Sequence, residues 1–300
     1  AHVPRPRAPS PSRTMLRALL FWLGGLGLLL GLGPEAARTQ PSPSPSVRSD
    51  TVALSPTGRV DIENSRGRIT VTTWDRARVG YEVVFAPGPE DSTAYKMPDI
   101  VHSETALSFG GTSSWSIRIP GLVSISPGGS RKPAARYRVV MPETARLKID
   151  DRSSRISVSG VTADVAIESH EGQVVVQDVE GRLSLDTYRD TAHVSGLRGS
   201  IALETYSGAI WVDLAALTDE STAETYSGAL HFGLPRSAGF TLYTDLTTAS
   251  LSVDEAFGPP SDGDADTATY NGGGPRLNIE SYSGPVEIRP RTALPDSSAR

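Results

Sequence analysis

The chain contains no cysteine in 300 residues. That excludes disulfides, thiolate metal sites, cysteine nucleophiles and lipid attachment through an N-terminal cysteine. Aromatic residues make up only 6% and there are 5 histidines, widely scattered. No G-x-S-x-G elbow, H-E-x-x-H pair or Walker loop follows the N-terminal segment, so the common signatures of hydrolases, metalloproteases and nucleotide-binding enzymes are missing. Positive charge is also in short supply, with 29 Lys and Arg against 34 Asp and Glu. Setting aside residues 1–37, which hold four Arg and one Glu, leaves 25 basic and 33 acidic residues, a net of -8. An acidic domain of this kind is a poor partner for nucleic acid or anionic lipid.

Long apolar runs are scarce as well. The one present, "ALLFWLGGLGLLLGLG" from Ala18 to Gly33, follows Met15 and Arg17 and precedes the small residues of "PEAART". A basic start, a short apolar core and small residues read as an export signal, removed before roughly residue 40. At 16 residues the run is shorter than a membrane span of about 20. An uncleaved N-terminal segment would be the chain's route to a membrane. Residues 1–37 are therefore assigned to an N-terminal extension and signal peptide. Residues 38–50, with alternating Pro and Ser, form an extended linker.

What the chain has in abundance is repetition. "ETYSGAI" begins at Glu204, "ETYSGAL" at Glu224 and "ESYSGPV" at Glu280. The surrounding pattern recurs from Leu147, Val165, Leu183, Ile201, Ser221, Phe240 and Leu277, with an earlier relative, "VDIENSRGRITV", from Val60. A fixed period near 20 residues means stacked repeats. In each copy apolar and polar residues alternate, as a half-buried strand requires. Ile201 and Leu203 point inward on one strand, Ile210 and Val212 on the next. Between them lies a polar turn whose glycine can adopt positive φ.

Each period thus holds two short strands and two turns. Neither strand can bury its face alone, so the coils must stack at the strand spacing of about 4.8 Å. No segment after the signal has a helical period. The expected fold is all-β, a β-solenoid of 18–20-residue coils over residues 147–290. Parallel crossovers favour right-handedness, hence a right-handed parallel β-helix. An antiparallel sandwich of the same strands is the competing architecture. Residues 51–146 form a less regular β region, in which Gly110–Ser130 reads as a hairpin-like insertion. Residues 291–300 read as a disordered tail.

Several of these stretches resemble those of a known family. "VDIENSRGRITVTTWDRARVGYEVVF", "YRVVMPETARLKID" and the repeated "SG.I.V" steps resemble a bacterial β-repeat domain of unknown function, the adhesin-type or toast-rack-like domain. The likeness runs from about Val52 to Pro290. It implies an exported, non-enzymatic β-repeat protein of the cell envelope, whether periplasmic, surface-bound or secreted. It brings no catalytic residues and no cofactor to carry over.

Four features carry the remaining functional content. A solenoid stacks Asp150, Glu168, Asp186, Glu204, Glu224 and Glu280 into one outward acidic column, which keeps the repeat where a catalytic pair would break it. Tyr188, Tyr206 and Tyr226 fall in one outward row beside it, and Tyr282 occupies the same place in the last copy. Together with Glu204 and Glu224 these four tyrosines are the candidate ligand-binding residues. Ser169, Thr187, Thr205, Thr225, Thr244 and Ser281 form a hydroxyl column that faces inward and bonds turn backbone. Finally, the loop Ser261–Gly274 carries Asp262, Asp264 and Asp266 at a spacing that suits calcium, without the Gly and Glu of an EF-hand. Calcium at that loop is the single cofactor the sequence suggests.

The function expected is a non-enzymatic binding or structural surface of adhesin type, with envelope polysaccharide or another envelope protein as partner. A carbohydrate-active enzyme on a β-helix and an envelope-stress regulatory module are the alternatives.

Overall fold

The computed structural model describes residues 45–86, 97–110, 134–261 and 266–291. The N-terminal apolar run, most of the Gly110–Ser130 insertion, Asp262 and Asp264, and the tail from residue 292 lie outside the described residues. Those described are all-β apart from one 3-10 turn, Glu255–Phe257.

The strands follow in chain order. β1 (Ser46–Ala53), β2 (Arg59–Asn64), β3 (Gly67–Trp74), β4 (Arg78–Ala86), β5 (Ile100–His102), β6 (Ala106–Phe109) and β7 (Ala134–Pro142) come first. β8 (Arg146–Asp151), β9 (Ser154–Ser159), β10 (Val165–Ser169), β11 (Gln173–Gln177), β12 (Glu180–Thr187), β13 (Thr191–Thr205), β14 (Ala209–Leu217), β15 (Ser221–Thr225) and β16 (Leu230–Leu234) form the repeats. β17 (Phe240–Leu246), β18 (Leu251–Val253), β19 (Thr267–Tyr270), β20 (Arg276–Ser281) and β21 (Val286–Pro290) complete the chain.

Alternation decides each strand. In β8, Leu147, Ile149 and Asp151 are buried while Arg146, Lys148 and Asp150 are exposed. Two parallel ladders result. One runs β6, β2, β8, β10, β12, the second half of β13, β15, β20 and β17. The other runs β7, β3, β9, β11, the first half of β13, β14, β16, β21 and β18. Val174, Val194 and Ile210, all expected inside, are at most 3% exposed. A third inward apolar position, held by Val161, Val179, Leu197, Leu214 and Leu234, is also closed off. It lies on the far corner of each repeat, where the two-strand reading placed only a turn.

The order of the stack departs from the order of the chain at both ends. β2 and β3 lie between β6/β7 and β8/β9. Likewise β20 and β21 lie between β15/β16 and β17/β18. The chain therefore makes its terminal strand pair, β17 and β18, first, continues through β19, which runs antiparallel to β17, and inserts β20 and β21 one place earlier in the ladders. The opposite end is closed by antiparallel strands, β5 on β6, β4 on β7 and β1 on β4.

Four expectations are corrected by this arrangement. The linker assigned to residues 38–50 ends by Ser46, where β1 begins and pairs with β4. The segment Ser261–Gly274 is not a loop throughout, because Thr267–Tyr270 within it is a strand whose Tyr270 stacks on Phe240 at 4.9 Å. Leu242, not Phe240, pairs with Leu277, so Thr244 pairs with Ile279 and leaves the hydroxyl column; Leu246 stands opposite Ser281. The turn glycines Gly208, Gly228 and Gly284 do not have positive φ. A Cβ there would sit 2.0, 2.0 and 1.9 Å from the carbonyl oxygen of Asp190, Gly208 and Gly228 respectively. Close approach of successive repeats, not backbone conformation, requires glycine at these positions.

A tyrosine and carboxylate groove

The repeated "ETYSG" can now be read residue by residue. The threonine is buried and ties down its own turn. Thr205 Oγ1 accepts from the Gly208 amide at 3.2 Å, Thr225 Oγ1 donates to the Gly228 carbonyl at 2.9 Å, and Ser281 Oγ donates to the Gly284 carbonyl at 2.7 Å. The serine hydroxyl donates across coils to the previous tyrosine's carbonyl. These distances are 3.3 Å from Ser207, 3.1 Å from Ser227 and 3.1 Å from Ser283. The glycine admits the neighbouring coil. The tyrosine stacks.

Tyr188, Tyr206, Tyr226 and Tyr282 form one continuous column. Their ring centroids are 4.8, 4.9 and 4.8 Å apart and their planes diverge by 12°, 1° and 3°. The in-register parallel ladder imposes this spacing, and each contact adds about 0.5–1.5 kcal/mol to burial. Tyr282 joins because β20 is inserted directly beside β15. The rings are 41–48% exposed, but their faces cover one another, so solvent meets ring edges and phenol hydroxyls. Arg189 lies over Tyr188 at 5.3 Å at one end, and Thr248 Oγ1 donates to the Tyr282 carbonyl at 2.8 Å at the other.

The glutamate alone has no such packing role. Asp150, Glu168, Asp186, Glu204, Glu224 and Glu280 are in register, as expected, and all are exposed. The ladder extends the column to Glu63 at one end and to Asp245 at the other. Asp186, Glu204, Glu224, Glu280 and Asp245 form no ion pair with a described residue. Neighbours one strand spacing apart repel by a little under about 1 kcal/mol in water. Partial burial, followed by the charges of Glu280 and Glu204, raises the Glu224 pKa above the usual carboxylate range.

Carboxylates and tyrosines together line a groove of about 550 Å³, running from Asp186 and Tyr188 to Asp245, Thr247 and Tyr282. The structure thus brings all six candidate ligand-binding residues, Tyr188, Tyr206, Tyr226, Tyr282, Glu204 and Glu224, to one surface. Sequence reading missed Asp245 and Thr247. Aligning "LYTDL" on "LNIES", so that Asp245 meets Glu280, would have found both.

Other candidates fare differently. His193, Trp211 and His231 stack at 4.7 and 5.2 Å, with an indole between the imidazoles, and His231 Nδ1 lies 2.8 Å from a Glu287 carboxylate oxygen. Asp262 and Asp264 lie outside the described residues. Asp266 is exposed, and its carbonyl accepts from the Thr244 amide at 2.9 Å. No group of three or more His, Asp or Glu suited to a metal ion occurs among the described residues.

Inside the same corner, nearer the N-terminus, the hydroxyl column continues through Ser169 and then gives way to Asp151 and Asn64, all buried. Asn64 Nδ2 donates to Ser154 Oγ at 2.8 Å, and Ser154 Oγ donates to Asp151 Oδ1 at 2.5 Å. Burial raises the Asp151 pKa to about 6, against the pull of Ser154 and Asn64 and with added repulsion from Asp190. Asp190 occupies the turn-glycine position and is fully buried. Burial raises its pKa too, while Ser169 and His170 draw it back.

No family model matches the chain, and no curated protein matches it. Three solved structures show some likeness, all of bacterial proteins described as proposed adhesins or cell adhesion proteins, the type that the sequence motifs resemble. The one from Clostridium sporogenes is 9% identical, covering 82% of this chain and 100% of that one, with a TM-score of 0.39. The one from Bacteroides fragilis is 12% identical, covering 81% and 97%, with a TM-score of 0.36. The one from Parabacteroides merdae is 9% identical, covering 81% and 95%, with a TM-score of 0.28. Likeness at this level carries no inference for this chain.

Proposed function

We propose that this chain is an exported, non-enzymatic binding protein of the cell envelope, of adhesin type, and that its ladders close into a right-handed β-solenoid carrying one long binding groove. The observation that carries this reading is the groove itself. Five carboxylates without ion-pair partners among the described residues and four half-exposed tyrosines share one straight surface, held by a rigid hydrogen-bonded stack. Rigid placement lowers the ordering cost of binding a long ligand. The acidic side chains follow the repeat throughout and no pair of them departs from it, which supports a binding surface over a glycosidase. Envelope polysaccharide or another envelope protein is the partner class.

Replacement of Glu204 and Glu224 together by Gln tests this. These side chains form no ion pair with a described residue and repel their neighbours, so the double variant should melt no lower than the native chain and lose retention on envelope polysaccharide or on the partner captured by the native protein. Full retention by the folded variant would remove the groove from the account.

A further inference from the structure

The groove also specifies what can lie in it, provided the binding reading holds. The tyrosine faces are consumed by stacking at 4.8–4.9 Å, so no open ring platform runs along the row for a sugar, a base or a quaternary ammonium. What remains is a line of phenol hydroxyls, which both donate and accept, beside a line of carboxylates, which only accept. Anionic polymers are repelled. A ligand must therefore be linear, bring positive charge or donors at the coil spacing, and offer hydroxyls to the phenols.

An extended peptide meets the charge requirement but not the spacing. Its same-side residues recur every 6.6–6.8 Å or so, against about 4.8 Å per coil, and fall out of step within two or three coils. A β-linked hexosamine chain advances one sugar over nearly one coil. Successive units turn over, so amino groups return to the groove about every second coil, and the carboxylates between them accept sugar hydroxyls. From Asp186 to Asp245 the column gives five positions, enough for a short oligosaccharide. We propose that the groove binds a linear, de-N-acetylated aminoglycan, with protonated amines on the alternate rungs Glu204 and Glu280 and sugar hydroxyls on Glu224 between them and on Tyr206, Tyr226 and Tyr282. Charge complementarity selects this occupant, because each carboxylate in this stretch lacks an ion-pair partner among the described residues.

The test is calorimetric titration of the full chain with a glucosamine hexamer, its fully N-acetylated counterpart and an oligo-lysine of equal charge, in mildly acidic buffer. The expected result is binding of the free-amine hexamer that weakens steeply with salt. The acetylated hexamer and the oligo-lysine should each bind at least about tenfold more weakly, a difference near 1.4 kcal/mol. Glu204→Gln with Glu224→Gln should abolish hexamer binding with no fall in melting temperature. Equal binding of the acetylated hexamer would overturn the aminoglycan assignment and leave the groove as a neutral-glycan site. Equal binding of oligo-lysine would overturn it in favour of a general polycation surface. If the free-amine hexamer fails to bind while native envelope polysaccharide is still retained through Glu204 and Glu224, the ligand class is wrong and the groove stands. If nothing is retained through these residues, both readings fall.

Discussion

Asp151→Asn removes a carboxylate from the closed corner beneath β8 without changing its volume. The Asp151 pKa rises from 3.8 to about 6, chiefly through burial. A group whose folded pKa exceeds its unfolded pKa holds its proton longer in the native state. Between about pH 4 and pH 6 the folded chain therefore binds more protons than the unfolded one, and stability falls as pH rises. A tenfold difference in proton affinity between the folded and unfolded chains corresponds to about 1.4 kcal/mol, so Asp151 alone costs about 3 kcal/mol at neutral pH, most of it developing between about pH 4 and pH 7.

The asparagine variant should escape this loss. Its amide oxygen can still accept from Ser154 Oγ. Its amide nitrogen supplies a donor where Asp151 Oδ2 and Asn64 Oδ1 both lack a partner among the described residues. Denaturant unfolding of both proteins from pH 4 to pH 8 gives the comparison. The variant should match the native chain near pH 4 and exceed it by about 3 kcal/mol at pH 7, roughly 5–10 °C in Tm. Asp190 and Glu224, also raised, leave both proteins a residual slope of the same sign. Identical slopes, or a variant less stable at pH 7, would refute a buried ionised Asp151.

Two further substitutions probe the stack. Ile210→Ala, at a fully closed position, should cost 2–5 kcal/mol or thereabouts in urea unfolding, through lost burial and a cavity. Gly228→Ala puts a methyl group 2.0 Å from the Gly208 carbonyl and should lower Tm clearly, although the backbone there has no positive φ. A neutral Gly228→Ala would mean that the coils do not approach as described.

The inward positions and the acidic column were legible in the sequence because a period of two within a period near 20 fixes both which side a residue faces and which residues share a rung. Asp150 to Glu280 could be aligned by counting. The order of the coils could not, because β20 follows β17 in the chain but precedes it in the stack, and nothing local to "LNIESYSG" reports its neighbour. For that reason Tyr282 could be matched to the tyrosine position but not placed in the row, and Thr244 was assigned to a column that it leaves. The buried Asp151 and Asp190 were also obscured. In sequence they look like ordinary polar turn residues, and only the register shows that they occupy the corner's inward slots.

The groove reaches its full length only if β20 lies between β15 and β17, and the absence of cysteine makes that directly measurable. Thr222 on β15 is the rung partner of Asn278 on β20, and Asn278 that of Tyr243 on β17. Thr222 and Tyr243 are therefore two rungs apart, beyond the roughly 7 Å Cα separation that a disulfide can span. Thr222→Cys with Asn278→Cys should cross-link under mild oxidation, and Thr222→Cys with Tyr243→Cys should not. Efficient cross-linking of the second pair but not the first would restore the order of the chain, break the tyrosine row after Tyr226 and contradict the groove.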